Sequence, residues 1–112
     1  MLRRAHEVRG SEQFVGVSGP SGCAGASIVK GTRTRPSSLE VRFIRAAVFG
    51  EGHGGVLLEA LVSVGREVCP ELSHAFIDVS RCMAKSRGFF RRHGFVESTT
   101  NKTGDVLRFA FG

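Results

Sequence analysis

A chain of 112 residues has room for one domain with a single hydrophobic core. Apolar residues make up 41% of it and charged residues 23%, which excludes a disordered or fibrous protein. The formal net charge of +6 favours an anionic partner but does not choose among nucleic acid, anionic lipid and a phosphorylated small molecule.

The cysteine pattern and the hydropathy predict the compartment. Cys23, Cys69 and Cys82 are odd in number and lack the close spacing of a disulfide framework or a zinc site. We therefore expect no metal and a reducing compartment, the cytoplasm or, in a eukaryote, also the nucleus. No apolar run approaches the roughly 18 residues of a membrane span, so we expect no membrane partner.

The first half of the chain is predicted to form strands. Apolar runs at Phe14–Val17 and Ala24–Val29 flank the sequence Gly-Pro-Ser-Gly, which predicts a β-hairpin. Residues 39–45 alternate in polarity and predict a half-buried strand. One side of that strand would carry Leu39, Val41 and Phe43, and the other Glu40, Arg42 and Ile44.

The second half alternates between helices and strands. Four apolar residues recur at helical spacing and predict a helix over residues 54–69, which Pro70 ends: Leu57, Leu61, Val64 and Val68. A strand at His74–Val79, a basic helix at Met83–His93 and strands around Phe95–Ser98 and Leu107–Phe111 follow. The fold class is therefore α/β (α+β), a mixed central sheet with helices packed on it, in one domain of residues 1–112.

Two stretches are rich in glycine. The one at residues 19–25 imitates a phosphate-binding P-loop, but Ala26 stands where that loop has lysine, so we interpret it as a hairpin turn.

The stretch Gly50-Glu51-Gly52-His53-Gly54-Gly55 lies between a predicted strand and a predicted helix. A dinucleotide-binding fold has this spacing, but the chain holds only one β-α-β unit. Glycines and a helix N-terminus let backbone N–H groups approach a phosphate, so we expect these six residues to bind an anion. A tight turn without a ligand is the alternative.

Two stretches together resemble the GNAT superfamily of N-acetyltransferases. Residues 44–58 resemble its strand, R/Q-x-x-G-x-G/A turn and helix, with Gly52 and Gly54 as the motif glycines. Residues 83–95 resemble its second motif, N-x-x-A-x-x-F-Y-x-x-x-G-F. The resemblance covers residues 39–112, the core of the predicted domain, and implies a GNAT-like fold.

The resemblance implies transfer of an acetyl group from acetyl-CoA to an amine of a small molecule or a protein. The backbone at Ile44 and Ala46 would hold the pantetheine arm, and residues 50–55 the pyrophosphate. Met83 and Phe90 would also contact the cofactor. Glu40 is the candidate base for the attacking amine, and a surface ion pair with Arg42 is its alternative role.

The chain departs from the family pattern at three motif positions. Phe49 replaces Arg or Gln, Met83 replaces Asn, and Phe90 replaces the tyrosine that protonates the departing thiolate. These departures leave two further hypotheses open. One is a degenerate CoA-binding or regulatory module without turnover; the other is a basic nucleic-acid-binding domain, the less favoured of the two.

The family has two helices after its first strand that shape the acceptor pocket. Only 13 residues precede Phe14, so we expect these N-terminal helices to be reduced or missing. Either the sequence is trimmed at its N-terminus, or a partner chain, such as a second copy in a homodimer, completes acceptor recognition.

Overall fold

The computed structural model describes residues 2–48, 50–78, 84–100 and 104–111. These residues form β1 (Arg3–Arg9), β2 (Glu12–Gly19), β3 (Gly22–Val29), β4 (Ser37–Ala46), α1 (His53–Val68), β5 (Leu72–Asp78), α2 (Ala84–Arg92), β6 (Val96–Thr100) and β7 (Gly104–Ala110). The strands make one sheet in the order β1-β2-β3-β4-β5-β7-β6. β4 and β5 run parallel, and the other neighbours are antiparallel. The mixed α+β sheet is therefore confirmed.

β1 is an edge strand that sequence reasoning missed. All seven of its residues are exposed, so its sequence lacks the alternation of apolar and polar residues from which a strand is predicted. It pairs with β2 along its whole length, and the turn at Gly10 and Ser11 joins the two strands directly. Charged side chains are typical of exposed edges, because they discourage pairing with other chains.

The predicted first helix is confirmed, with each boundary one residue earlier than predicted. Its apolar face is buried through Leu57, Leu58, Leu61, Val64 and Gly65. Gly65 brings α1 close to the sheet: a β-carbon there would lie 2.9 Å from Cδ1 of Leu39. Burying each leucine contributes roughly 1.5–3 kcal/mol, so this face holds α1 on the sheet.

Both helices pack on the same face of the sheet, which we call the inner face. Leu39 pairs with Ala75 and Ala75 with Phe109, so the three side chains share that face. α1 contacts Leu39, and the ring of Phe95, just after α2, stacks on Phe109 with centroids 5.6 Å apart. In the described part of the chain, the opposite or outer face carries no helix.

The direct turn from β1 to β2 bears on the expected reduction of the N-terminal helices. No helix lies between these two strands, as predicted, and all of residues 2–48 are described. In addition, none of the described helices is long and apolar enough to cross a membrane.

Gly22 and Gly88 allow a matched test of this packing. Gly22 has φ 122°, and a β-carbon there would lie 2.0 Å from the carbonyl oxygen of Arg45 at the end of β4. Gly88 lies inside α2, and the nearest atom to a β-carbon there is Nη1 of Arg92 at 4.0 Å.

We expect Gly22→Ala to lower the free energy of unfolding by about 1–3 kcal/mol, because alanine is strained at positive φ and would meet the β4 backbone. Gly88→Ala should raise it by roughly 0.5–1 kcal/mol, because alanine is the better helix former. Urea denaturation measures both values. Similar effects of the two substitutions would contradict this packing.

Candidate functional site

The two parallel strands β4 and β5 separate in the middle of the sheet. They pair only through residues 37–40 of β4 and 72–76 of β5, with Glu40 opposite Phe76 as the last pair. Among the described residues, β4 then continues to Ala46 paired only with β3, while β5 continues to Asp78 paired only with β7. In this part of the chain a gap therefore opens beyond Glu40, and one edge of β4 faces it.

A β-bulge in β4 changes which side chains face the helices. Gly25 pairs with Phe43 and Ala26 with Val41, so Arg42 is an extra residue between them. Because Gly25 and Ala26 are consecutive, their partners lie on opposite faces. The predicted grouping of Phe43 with Leu39 and Val41 is wrong: Phe43 lies on the outer face and is 41% exposed.

The bulge also separates Glu40 from Ile44. Glu40 pairs with Ser27 and Ile44 with Ala24, and residues three apart on β3 lie on opposite faces. The prediction that Glu40 and Ile44 share a face is therefore wrong. Counting a simple alternation through the extra residue Arg42 assigns the residues after it to the wrong faces of the sheet.

The backbone of β4 beyond the bulge has hydrogen-bonding groups directed at the gap. The N–H of Ala47 donates to the carbonyl of Ser21 at 2.8 Å, so this residue faces β3. Backbone groups alternate along a strand, which directs those of Ile44 and Ala46 away from β3 and toward the gap. These are the two residues that the sequence assigned to the cofactor's arm.

The turn before α1 has free space beside two of its glycines. Gly50 and Gly52 have φ of 79° and 77°, the left-handed region that glycine favours. A β-carbon on either residue would have no heavy atom within 4 Å. The turn therefore presents backbone to free space rather than to other parts of the protein.

The other two glycines of the motif have a different role. A β-carbon on Gly54 would lie 2.8 Å from the ring of Phe89, and one on Gly55 would lie 2.9 Å from the ring of His93. These rings, whose centroids are 4.6 Å apart, both come from the end of α2. Gly54 and Gly55 thus let α2 pack against the first turn of α1.

The N-terminus of α1 is electrostatically unsatisfied. Gly52 is the N-cap, no side chain among the described residues caps the helix, and no acidic residue lies in its first turn. The first N–H groups of a helix lack internal partners and carry positive partial charge. Nδ1 of His53 is buried and has no hydrogen-bond partner among the described residues, while its Nε2 lies 3.8 Å from the Glu51 carboxylate.

Phe90 is buried beneath α2. It is 3% exposed, and its ring packs edge-on against Phe89 at 5.2 Å and Phe95 at 5.1 Å. The side chain at the tyrosine position of the family motif therefore has no proton to donate. Phe49 and Met83 lie outside the described residues, so their predicted roles remain predictions.

The basic residues of α2 differ in their surroundings. Arg91 pairs with the Glu97 carboxylate on the surface. Nε of Arg87 is instead buried and has no hydrogen-bond partner in the described part of the chain. The sequence predicts a basic helix here, but its charge pattern does not show which guanidinium has a buried nitrogen.

Glu40 lies on the outer face beside the point where the gap opens. Its carboxylate side chain is 23% exposed and accepts a hydrogen bond from Nη1 of Arg42 at 3.3 Å. The predicted surface pair is therefore present. Directly opposite Glu40 on β3, the Oγ atom of Ser27 is buried without a hydrogen-bond partner in the described structure.

Comparison with known proteins supports the fold on which this geometry rests. No protein-family model and no curated sequence matches the chain. Among solved structures, a GNAT-family protein of Desulfovibrio desulfuricans is similar over 88% of this chain and 68% of its own, at 19% identity and a TM-score of 0.55. A protein assigned as an acetyltransferase from Agrobacterium tumefaciens is similar over 98% and 76%, at 17% identity and a TM-score of 0.50.

A third similar structure contains the coenzyme. The PaiA N-acetyltransferase of Thermoplasma acidophilum, in complex with coenzyme A, is similar over 89% of this chain at 14% identity and a TM-score of 0.60. This chain spans 61% of that protein, less than two thirds of it. The strand order, the two helices and these structures together show that the chain has the GNAT acyl-CoA N-acyltransferase fold.

His74 titrates close to this site. It lies on the outer face near Phe76, with ring centroids 6.1 Å apart, and its Nδ1 lies 2.8 Å from Oγ of Ser73. Burial, and then the positive charge of Arg108, lower the pKa of His74. The unfolded chain therefore takes up this proton first as the pH falls.

We expect the stabilising contribution of His74 to be present above about pH 6.5, the ordinary pKa of histidine, and lost as the pH falls toward the lowered folded-state value. Urea denaturation between pH 5 and 7.5 should show a smaller loss on acidification in His74→Gln. In Arg108→Gln, NMR titration should show the pKa of His74 raised. An unchanged pKa there would contradict the assigned cause.

Proposed function

We propose that this protein is a cytoplasmic N-acetyltransferase that moves an acetyl group from acetyl-CoA to an amine. One observation carries the proposal: the open edge of β4 leads from the gap beyond Glu40 to the glycine turn at the start of α1. A long substrate with a pyrophosphate at one end and a thioester at the other suits such a path. The fold neighbours support the proposal.

The pyrophosphate would lie at the turn. Gly50 and Gly52 leave room there, and the uncapped N-terminus of α1 offers backbone N–H donors with favourable dipole. Nδ1 of His53, which has no partner among the described residues, would supply a further donor when it carries a proton. Glu51 lies nearby with its side chain 65% exposed, so it can turn to solvent.

The pantetheine arm would lie along β4 in the gap. Its amide groups would exchange hydrogen bonds with the backbone of Ile44 and Ala46, as an extra strand does. This arrangement would bring the thioester toward the bulge. A backbone N–H of the segment 44–46 would then stabilise the oxyanion that develops on the thioester oxygen.

The chemical step is direct transfer. The neutral amine nitrogen attacks the thioester carbonyl carbon, the C–N bond forms, and the C–S bond breaks to release the CoA thiolate. The proton lost by the amine passes to a base, and the thiolate takes a proton from water. Because a thiol pKa near 8.5 makes the thiolate a tolerable leaving group, the apolar Phe90 would slow this step without preventing it.

Glu40 is our proposed base. Its carboxylate lies at the mouth of the gap on the face opposite the helices, where an amine can arrive while the inner face is occupied. The hydrogen bond from Arg42 would hold the carboxylate in place. This role does not need Glu40 to share a face with Ile44, since only the backbone of Ile44 would contact the cofactor.

A module that binds CoA without turnover is the second candidate. The buried, apolar Phe90 favours this candidate. Because phenylalanine has no proton to donate, it cannot act as a general acid for the departing thiolate. The two functions share the same cofactor site. They differ in whether CoA thiol is released when an amine is added.

Binding of the cofactor tests both candidates. Isothermal titration calorimetry should show binding of CoA and acetyl-CoA. Gly52→Asn should weaken it about tenfold or more, because asparagine tolerates left-handed φ but fills the space reserved for phosphate. Gly10→Asn is the matched control, since Gly10 also has positive φ and open space but lies in the β1–β2 turn. Absence of CoA binding would refute both candidates.

Turnover tests the proposed base. Glu40→Gln should lower kcat/KM at neutral pH by about 100-fold, the lower range for general base catalysis, and leave the Kd of CoA unchanged. Arg42→Gln, which removes the partner but keeps the carboxylate, should lower it far less. Thiol release in the presence of an amine panel measures both. An unchanged rate in Glu40→Gln would exclude this residue as the base.

A further inference from the structure

The outer face of the sheet carries a depression that we call the outer trench. It has a volume of about 360 Å³, and its lining includes Ala5, Phe14, Gly16, Gly25 and Phe43. Ala5 pairs with Gly16, Gly16 with Gly25, and Gly25 with Phe43, so a row of small residues crosses three strands and ends at an aromatic ring. Because glycine and alanine have little or no side chain, this row leaves a depression in the surface, which is the trench.

The bulge in β4 directs Phe43 into this arrangement. The ring lies across Gly25, where a β-carbon would come within 2.6 Å of Cε1 of Phe43. Phe14 borders the trench from the neighbouring row. The floor is therefore backbone and the walls are apolar, which suits a ligand with a narrow apolar body.

The two acidic residues at the rim already have basic partners. Glu7 accepts a hydrogen bond from Nε of Arg9 at 2.8 Å, and Arg42 donates to Glu40 at 3.3 Å. The guanidinium of Arg45 lies over the outer ring of Phe43, 5.5 Å from its centroid. Because each acid at the rim has a basic partner, the trench does not favour a polycation along its length.

Two hydrogen-bond acceptors lie next to the trench. Glu40 and Ser27 pair directly across β3 and β4 in the adjoining row, and the Ser27 hydroxyl is buried without a partner in the described structure. A carboxylate and an unused hydroxyl oxygen can both accept hydrogen bonds from an ammonium group. Glu40 belongs to the strand that borders the gap, and Ser27 lies next to it on β3, on the edge of β4 away from the gap.

We propose that the outer trench binds the acceptor, and that the acceptor is a small primary amine carried on an uncharged alkyl or aryl body. Its apolar part lies over Gly16 and Gly25, between Phe14 and Phe43, and its nitrogen points to Glu40. The volume falls in the small-molecule range of about 300–1,000 Å³, which favours a small ligand over a protein amine. This inference rests on the proposed acetyltransferase function.

Filling the trench tests the inference. Gly16→Val is suitable, because a β-carbon at Gly16 meets only the carbonyl oxygen of Ala24, at an ordinary 3.4 Å. Ser18→Val is the matched control: Ser18 lies on the same strand and the same face, one row away, and does not line the trench. Hexylamine and 2-phenylethylamine are the probes, and spermidine and free lysine are the charged comparisons.

Gly16→Val should raise the KM for hexylamine and 2-phenylethylamine at least tenfold, with kcat and the Kd of CoA unchanged, whereas Ser18→Val should change neither constant more than twofold. The inference is overturned if spermidine or lysine is acetylated with the higher kcat/KM, or if Gly16→Val has no effect. In either case acetyl transfer itself, and so the proposed function, would stand.

A binding measurement tests the trench in case the protein transfers no acetyl group. In the CoA-saturated wild-type protein, hexylamine should shift the amide NMR signals of Gly16 and Gly25 in a saturable way, and not in Gly16→Val. Saturable shifts without thiol release would support the trench while refuting acetyl transfer. Absence of shifts at both glycines would overturn the trench as an amine site, whatever the result for CoA.

Discussion

The separation of β4 from β5 after Glu40 and Phe76 is the constraint on which the candidate site depends. In a continuous sheet, the backbone groups of neighbouring strands satisfy one another, and no ligand can use them. Here the two parallel strands keep separate partners, β3 and β7, so within the described residues one edge of β4 has donors and acceptors without a strand partner. Such groups are costly to leave unmatched unless water or a ligand satisfies them. In the proposed function, the backbone of β4 in this gap is the surface that binds the cofactor.

The bulge at Arg42 sets the chemistry on the two faces of that gap. Before it, β4 directs Glu40 to the outer face; after it, Phe43 takes the outer face and Ile44 the inner one. One extra residue therefore places a carboxylate and an aromatic ring on the same open face. The described helices cover the inner face, so a molecule that reached the outer face would not compete with one held at the start of α1.

The glycine turn shows how one motif serves two physical needs. Gly50 and Gly52 are glycines because their backbone is left-handed and faces open space, whereas Gly54 and Gly55 are glycines because the rings of Phe89 and His93 lie against them. The second pair holds α2 against the first turn of α1. The packing of Phe90 and Phe95 continues this contact into the core, so the turn and the aromatic cluster stabilise each other.

The sequence by itself determined the elements whose periodicity is local. The apolar stripe from Leu57 to Val68 predicted α1 within one residue, and the glycine turn and the aromatic residues around Phe90 indicated the fold from which the site follows. Only the tertiary structure decided the rest. β1 has no apolar alternation and exists because β2 offers it partners, and the bulge appears only when β4 is paired with β3. Pairing between distant segments sets these features, and no local pattern of residues records it.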